Sequence, residues 1–364
     1  MNIAFFGSSL VSAYWNGAAT YYRGIIRALA GRGHTVTFYE PDAYDRQTHR
    51  DIPDPSWARV VVYGASDTAE LERALDSAAR ADLIIKASGV GVFDELLEAA
   101  VLELRRASNT VVFWDVDAPA TLERVSRDGH DPFGPLIARY DAIFTYGGGP
   151  PVVEAYLALG ARACHPIYNA VDPDTHHRVA PDPRFEAALG LMANRLPDRE
   201  ARVESFFLDL ARALPDQTFV LGGNGWSDKP LPDNVRAVGH VYTRDHNAFN
   251  CSPQAVLNIN RESMARCGYS PATRVFEAAG AGACLISDAW VGIEQFLAPG
   301  REVLIAESSA GVAEHLRSLS PTRAATIGEA ARRRVVAEHT YAHRAAEVEA
   351  ILGGQDRLSS PGIS

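Results

Sequence analysis

The segment NINRESMARCGYSPATRVFEAAGAGACLISDAWVGIEQF, Asn258 to Phe296, decides how this chain is read. It opens on a polar strand exit, enters a helix at Ser270-Pro271 and carries one carboxylate, Glu277, inside an otherwise apolar helix. Gly280 and Gly282 then lead into a buried strand, Cys284 to Ser287. Serine at an N-cap and proline in the first turn are helix-start signals. The free N–H groups of that turn can hold an anion such as a diphosphate. A carboxylate about two turns further in can accept hydrogen bonds from sugar hydroxyls. Taken alone, the helix reads more simply as a buried element with one solvated Glu, so the rest of the chain has to decide.

Working outward, apolar runs alternate with helical patterns. Asn2–Phe6 is followed by a helix over about Thr20–Ala30 and a strand Thr35–Tyr39. Further strands are expected at Val60–Tyr63, Leu83–Lys86, Thr110–Trp114 and Ala142–Thr145, with helices at Ala69–Ala79 and Phe93–Arg106 between them. A second series begins near Leu189: helix Glu200–Ala213, then strands Thr218–Leu221, Val235–Val238, Ala255–Asn258 and Cys284–Ser287. This rhythm predicts an α/β fold with mostly parallel sheets covered on both faces. The stretch Asn169 to Glu186, with Pro173, Pro181 and Pro183, reads as an interdomain linker, and one long helix is expected over about Pro321–Leu352. The expected domains are 1–170 with a crossover helix at about 336–352, then 171–335, with a disordered tail at 353–364.

Composition agrees with a soluble two-domain protein: 364 residues, 47% hydrophobic and 22% charged. A net charge of −10 argues against nucleic-acid or membrane-surface binding driven by bulk charge. No apolar run reaches the roughly 20 residues of a membrane span, and the N-terminus MNIAFFGSSL lacks a basic n-region. The four cysteines are widely spaced, with no CxxC pair, and read as reduced thiols in a cytoplasmic protein, Cys164 and Cys284 being simplest as core residues. No metal site is expected: His176-His177 lies in the linker, with no acid or third ligand at metal spacing.

In open α/β sheets ligands bind outside the carboxyl ends of the strands, so the loops there hold the candidate site. Gly17, in Asn16-Gly17-Ala18-Ala19 before the first helix, lets backbone approach a phosphate. Gly7-Ser8-Ser9-Leu10 is not GxGxxG, which removes the main support for a nicotinamide enzyme, although Glu40 stands where a ribose-binding acid would. Asp115-Val116-Asp117 follows a strand and offers a base, an acceptor-orienting group or a metal ligand; Asp117 is taken as the functional aspartate with Asp115 in reserve. Arg195 and Arg199, four apart before a helix, can clamp a diphosphate without a metal. Gly223 permits a tight turn near a ligand, and His240 and Val241 present backbone to a nucleobase. Lys86, at the end of an apolar strand, has no assigned role.

At this point the residues carry a resemblance. RGHTVTFYE (Arg32–Glu40) resembles the N-terminal signature of family-4-type GT-B glycosyltransferases, and IYNAVDPDTHH (Ile167–His177) resembles their segment entering the linker. LNINRESMARCGYSP, RVFEAAGAGACLISDAWVGIEQFLAPGREVLI and AEHTYAHRA resemble the glycosyltransferase family 1 domain of CgeB-like spore maturation proteins. The resemblance implies two Rossmann-like domains facing a cleft, with the last helix crossing back to the first domain. It implies that Glu277 bonds the nucleotide ribose, as the second Glu of an E-x7-E motif whose first Glu falls at Tyr269. It further implies that Arg195 and Arg199 hold the diphosphate with Gly17, and that the Asp115–Asp117 segment replaces a catalytic-region His. Ser270 and Arg274 complete the expected donor set.

The expected function is transfer of a sugar from a nucleoside-diphosphate sugar to an acceptor hydroxyl or amine, with retention and without a metal or other cofactor. The acceptor is not readable. A GT-B-fold sugar-nucleotide epimerase, a non-catalytic nucleotide-sugar-binding protein and, more distantly, an NAD-dependent oxidoreductase are the alternatives.

Overall fold

A computed structural model describes residues 1–359. Seven strands form the first sheet: β1 (Asn2–Phe6), β2 (Thr35–Asp42), β3 (Arg59–Gly64), β4 (Leu83–Ala87), β5 (Thr110–Asp115), β6 (Ala142–Thr145) and β7 (Cys164–Pro166). Between them run α1 (Ala19–Gly31), α2 (Thr68–Ala78), α3 (Asp94–Glu103), α4 (Ala118–Arg127) and α5 (Gly149–Ala158). Six strands form the second: β8 (Leu189–Met192), β9 (Phe219–Gly222), β10 (Val235–Gly239), β11 (Ala255–Asn258), β12 (Leu285–Asp288) and β13 (Leu304–Ala306). Its helices are α6 (Pro197–Val203), α7 (Asp209–Ala213), α8 (Thr243–Cys251), α9 (Glu262–Cys267), α10 (Thr273–Gly280), α11 (Ser309–Ser318) and α12 (Pro321–Glu338), and α13 (Tyr341–Ser359) closes the described chain.

Both sheets are parallel throughout, in the orders β3-β2-β1-β4-β5-β6-β7 and β10-β9-β8-β11-β12-β13. Strand order reverses beside β1 in the first sheet and beside β8 in the second. At such a switch point neighbouring loops diverge to opposite faces and leave a crevice. β5 shows how the sheet is sealed: Val111 and Phe113 enter the core on one face, while Val112 and Trp114 enter the core on the other. A strand buried on both faces is apolar at successive positions, which is why Val111 to Trp114 was legible as a continuous run.

The end of the chain returns to the first sheet. Ala331 and Val335 of α12 pack in the second sheet's core, whereas Tyr341, Ala345, Val348 and Leu352 of α13 pack in the first sheet's core with Tyr21, Ile25 and Leu29 of α1. The single helix expected over Pro321–Leu352 is therefore two, broken at His339-Thr340. At the break Val171 N–H donates to His339 O (2.9 Å) and Tyr341 N–H donates to Val171 O (3.1 Å). The expected disordered tail from residue 353 is helical as far as Ser359, and its remainder, 360–364, lies outside the described residues. The expected helix Glu200–Ala213 is α6 and α7 joined by a π-turn at Glu204–Leu208. The helix expected to start at Ser270-Pro271 starts at Thr273, with Ala272 as its uncapped N-cap; Ser270 instead donates its Oγ–H to Gly268 O, 2.9 Å away. No helix among the described residues is long and apolar enough to cross a membrane.

Gly24 is where α1 and α13 touch: a Cβ there would lie 2.1 Å from ring carbons of Tyr341. Tyr341 is 2% exposed and has nowhere to move. Gly24→Ala should cost about 1–3 kcal/mol, the usual range for overpacking a well-packed core. Urea denaturation measures it, and unchanged stability would mean that this helix contact is loose.

Candidate functional site

The carboxyl ends of β1, β8, β9 and β11 open into one cavity between the two sheets. Asn16, Gly17 and Thr20 line it from the first sheet's side, and Arg199, Gly223, His240, Val241, Arg274 and Glu277 from the second's. Of the expected donor-binding residues, this cavity gathers Gly17, Arg199, Gly223, His240, Val241, Arg274 and Glu277. It does not gather Arg195 or Ser270. A second cavity adjoins it on the first sheet's side, and Asn16, Gly17, Arg199, Ala272 and Thr273 line both.

Local geometry explains the shape. The loop after β1 is pinned by Asn16, whose Nδ2 donates to Ser9 O (2.8 Å) and Ser12 O (3.0 Å), while its Oδ1 accepts from Ser8 Oγ (3.0 Å). That holds Gly17 at the start of α1 with its backbone facing open space. Gly223 has φ +122°, and a Cβ there would lie 2.1 Å from Ala193 O, so only glycine fits this turn.

The cavity's charge is uneven. Glu277, buried on α10, has Arg274 Nη1 3.5 Å from Oε2, His246 Nδ1 4.0 Å from Oε2 and His176 Nε2 4.0 Å from Oε1. Burial pushes its carboxyl up, but Arg274, the two histidines and Thr20 outweigh burial and hold it at about 2. Glu277 is therefore an acceptor-only group at neutral pH. Arg199 forms no ion pair among the described residues, and its Nε has no hydrogen-bond acceptor. Burial first, then the neighbouring Arg274 and Arg261, push its guanidinium down to about 10. Arginines left facing one another, rather than carboxylates, make a site for an anion.

Arg195 is a correction to the expected two-arginine clamp. Its Nη2 pairs with Glu200 and its Nη1 with Asp228, each at 2.9 Å, and it lies outside the cavity lining. The second guanidinium of the cavity is Arg274. Ser270 is buried against Gly147 and shares a small cleft with Asp117 and Tyr146.

The two aspartates divide as unequal partners. Asp115 is fully buried: Oδ1 accepts from Ser88 Oγ (2.7 Å), Thr121 Oγ (3.1 Å) and Asp117 N–H (2.9 Å), and Oδ2 accepts from Tyr156 OH (2.5 Å). Four donors saturate it, so it organises the loop and is removed from the candidate catalytic groups. Asp117 lines the second cavity. Its Oδ2 is paired with Arg261, Oδ1 has no partner among the described residues, and burial pushes the carboxyl up against the opposing pull of Arg261.

Arg261 was missed in the sequence. It joins Asp117 on one sheet to Asp198 on the other (Nε–Oδ2 2.8 Å), and nothing in its local pattern separates it from a solvated helix-start charge. Thr20 and His246 were not singled out in the sequence, Asn16 was read only as a neighbour of Gly17, and His176 was set aside as a linker residue, because the partners of each lie far away in the chain. Lys86, left open above, is buried and paired with Asp94 (2.5 Å) and Glu98 (3.7 Å) beneath the second cavity. Glu40 accepts from Ser9 Oγ (2.9 Å), Leu10 N–H (2.6 Å) and Gln47 Nε2 (2.6 Å), so it is not open to the ribose of a dinucleotide.

The comparisons with known proteins agree with this architecture. Residues 199–350 match the family described as "Glycosyl transferase-like". No curated protein matches the sequence. Among solved structures, Anabaena HepE in complex with UDP and glucose has a TM-score of 0.71 at 14% identity, over 97% of this chain and 99% of that one. Sucrose-phosphate synthase from Thermosynechococcus elongatus has 0.70 at 16%, over 99% and 100%. An alpha-glucosyltransferase in complex with UDP-glucose and DNA containing an abasic site has 0.70 at 13%, over 97% and 99%.

The role given to Asp115 has a direct check. Asp115→Asn puts an amide donor against four donors and should cost about 1–3 kcal/mol in chemical denaturation. Full stability in that variant would reopen Asp115 as a reactive group. With the second-sheet region matched and both sheets in place, the chain carries a glycosyltransferase-like region on a GT-B fold.

Proposed function

We propose that the protein transfers a sugar from a nucleoside-diphosphate sugar, held in the first cavity, to an acceptor in the second. One observation carries the reading: Arg199 and Arg274, unneutralised by nearby acids except Glu277, face the same cavity that ends on the ionised Glu277. A nucleoside diphosphate has the complementary pattern, a dianionic bridge beside a ribose rich in hydroxyl donors. Glu277 accepts from the ribose hydroxyls. Arg199, Arg274 and the first-turn N–H groups of α10 meet the diphosphate, with Gly17 approaching from the other sheet. His240, Val241 and the Gly223 turn border the place for the base. Two of the solved structures of this fold are complexes with UDP-sugar or with UDP and glucose, which supports the donor class.

The chemistry follows from the cavity junction. Breaking the bond between the anomeric carbon and the diphosphate builds negative charge on the leaving group. Preorganised guanidiniums stabilise that charge without reorganising, which is where such sites draw most of their rate. No metal ion is assigned to the diphosphate in this reading, because the arginines already match its charge. Transfer proceeds with retention, by front-side departure in which a donor phosphate oxygen takes the acceptor proton. The free Oδ1 of Asp117, oriented by Arg261, holds the acceptor hydroxyl. The division of the chain near residue 170, a cytosolic setting and kinship with CgeB-like proteins belong to the same proposal.

Calorimetry with UDP, dTDP, GDP and ADP tests the donor site. One of them should bind, and Glu277→Gln and Arg199→Ala should each weaken it by about 10- to 100-fold, the equivalent of roughly 1–3 kcal/mol for a hydrogen bond to a charged group. Binding of none of the four, or unchanged affinity in both variants, would sink the reading. Asp117→Asn should lower turnover while leaving nucleotide affinity unchanged. Loss of both together would move Asp117 to the donor site. Retention is read from the anomeric configuration of the product by NMR.

A further inference from the structure

The cavity floor contains a group that the transfer reaction does not explain. His176 comes from the segment joining the two sheets, His246 from α8 and Glu277 from α10. One donor atom from each lies within 4.8 Å of the others. All three side chains are buried, His176 at 1% exposure. Among the described residues neither ring nitrogen of His176 has a hydrogen-bond partner, and neither does Nδ1 of His246 or Oε2 of Glu277. Several unsatisfied polar atoms at one buried point are costly unless something occupies the gap between them.

The tautomer of His246 identifies what that occupant must be. Its Nε2 lies 3.2 Å from Val241 O. A carbonyl oxygen only accepts, so Nε2 carries the hydrogen and Nδ1 is the lone-pair nitrogen of the neutral ring. Nδ1 then faces Glu277 Oε2 across 4.0 Å, acceptor against acceptor. A histidine that gives one N–H to a backbone carbonyl and turns its other nitrogen inward has the arrangement usual for a metal ligand.

We propose that His176, His246 and Glu277 bind one divalent transition-metal ion of the zinc or cobalt class. Two imidazoles and one carboxylate suit such an ion, whereas magnesium and calcium select all-oxygen sets. Donors about 2.0–2.2 Å from zinc in a tetrahedron stand about 3.4 Å apart. The three donor atoms, all within 4.8 Å of one another, therefore have to draw together by up to about 1.4 Å through side-chain rotation. His246 and Glu277 line the first cavity, which supplies the remaining ligand position to water or a bound hydroxyl. Arg274, 3.5 Å from Oε2, opposes the ion, and its Nη1 has no hydrogen-bond acceptor to hold it there. The ion would fasten the connecting segment to α8 and α10. The proposal shares Glu277 with the donor reading, the ion taking one carboxylate oxygen and leaving the other to the ribose, but metal binding without nucleotide tests it separately.

The test is a titration of the full chain, stripped with chelator, with Co2+ alone, followed by competition with Zn2+. The expected result is one equivalent per chain, with the visible absorption of four-coordinate Co2+ that Zn2+ abolishes. His176→Asn and His246→Gln should each weaken binding at least tenfold, while His177→Ala, an exposed neighbour, should not. No stoichiometric binding at micromolar protein overturns the proposal, as does binding that survives in both variants. Should those variants not fold, X-ray absorption of the zinc-loaded native chain decides. Two imidazoles without sulfur support the site, and sulfur or all-oxygen ligation removes it.

Discussion

Two backbone hydrogen bonds fasten the two chain crossings between the sheets to each other. Val171 N–H donates to His339 O at 2.9 Å, and Tyr341 N–H donates to Val171 O at 3.1 Å. At this point the chain leaves the first sheet and, 169 positions later in the numbering, comes back to it. Because both crossings are bonded to each other, the carboxyl ends of the two sheets face one another across a cleft. Every site residue depends on that constraint. Gly17 comes from the first sheet's side and Glu277 from the second's, and they share one cavity.

The cleft is also where the fold gives up stabilising pairings. Elsewhere arginines find carboxylates: Arg195 with Glu200 and Asp228, Arg202 with Asp288 at 2.7 Å, Arg23 with Asp51 at 2.6 Å. Among the described residues Arg199 finds none, and Arg274 has only a 3.5 Å approach to Glu277. Desolvating a guanidinium without a counterion is unfavourable, and that imbalance is what the proposed anion site rests on. Arg261 plays a different part. Paired to Asp117 and Asp198 at once, it spans the cleft and sets which oxygen of Asp117 is left free.

Particular residues show how far local pattern reaches. β4 and β5 carry apolar residues on both faces, Ile84 and Ile85, Val111 and Val112, because both faces are covered, and those short runs were enough to find them although Lys86 and Asp115 sit at their ends. Glu277 stood out because a carboxylate in an apolar helix violates the helix's own pattern. Arg199 and Arg195 look alike in sequence, four apart beside the same helix. Their difference is the location of Glu200 and Asp228, which the fold supplies. Asp115 and Asp117 are equally ambiguous until Ser88, Thr121 and Tyr156 are brought to the first of them.

By itself, the sequence determined the alternation of strands and helices, the covered parallel sheets, the glycine turns at strand ends and the helix bearing Glu277. These depend on periodicity and on residues close in the chain, where a side chain's environment follows from its neighbours. Only the tertiary structure decided which charges are neutralised, which aspartate is saturated, where the last helix breaks, and that His176, His246 and Glu277 meet at one buried point. Those properties are set by groups brought together from distant positions, and Coulombic and hydrogen-bond energies depend on distance in space, for which distance along the chain is no guide.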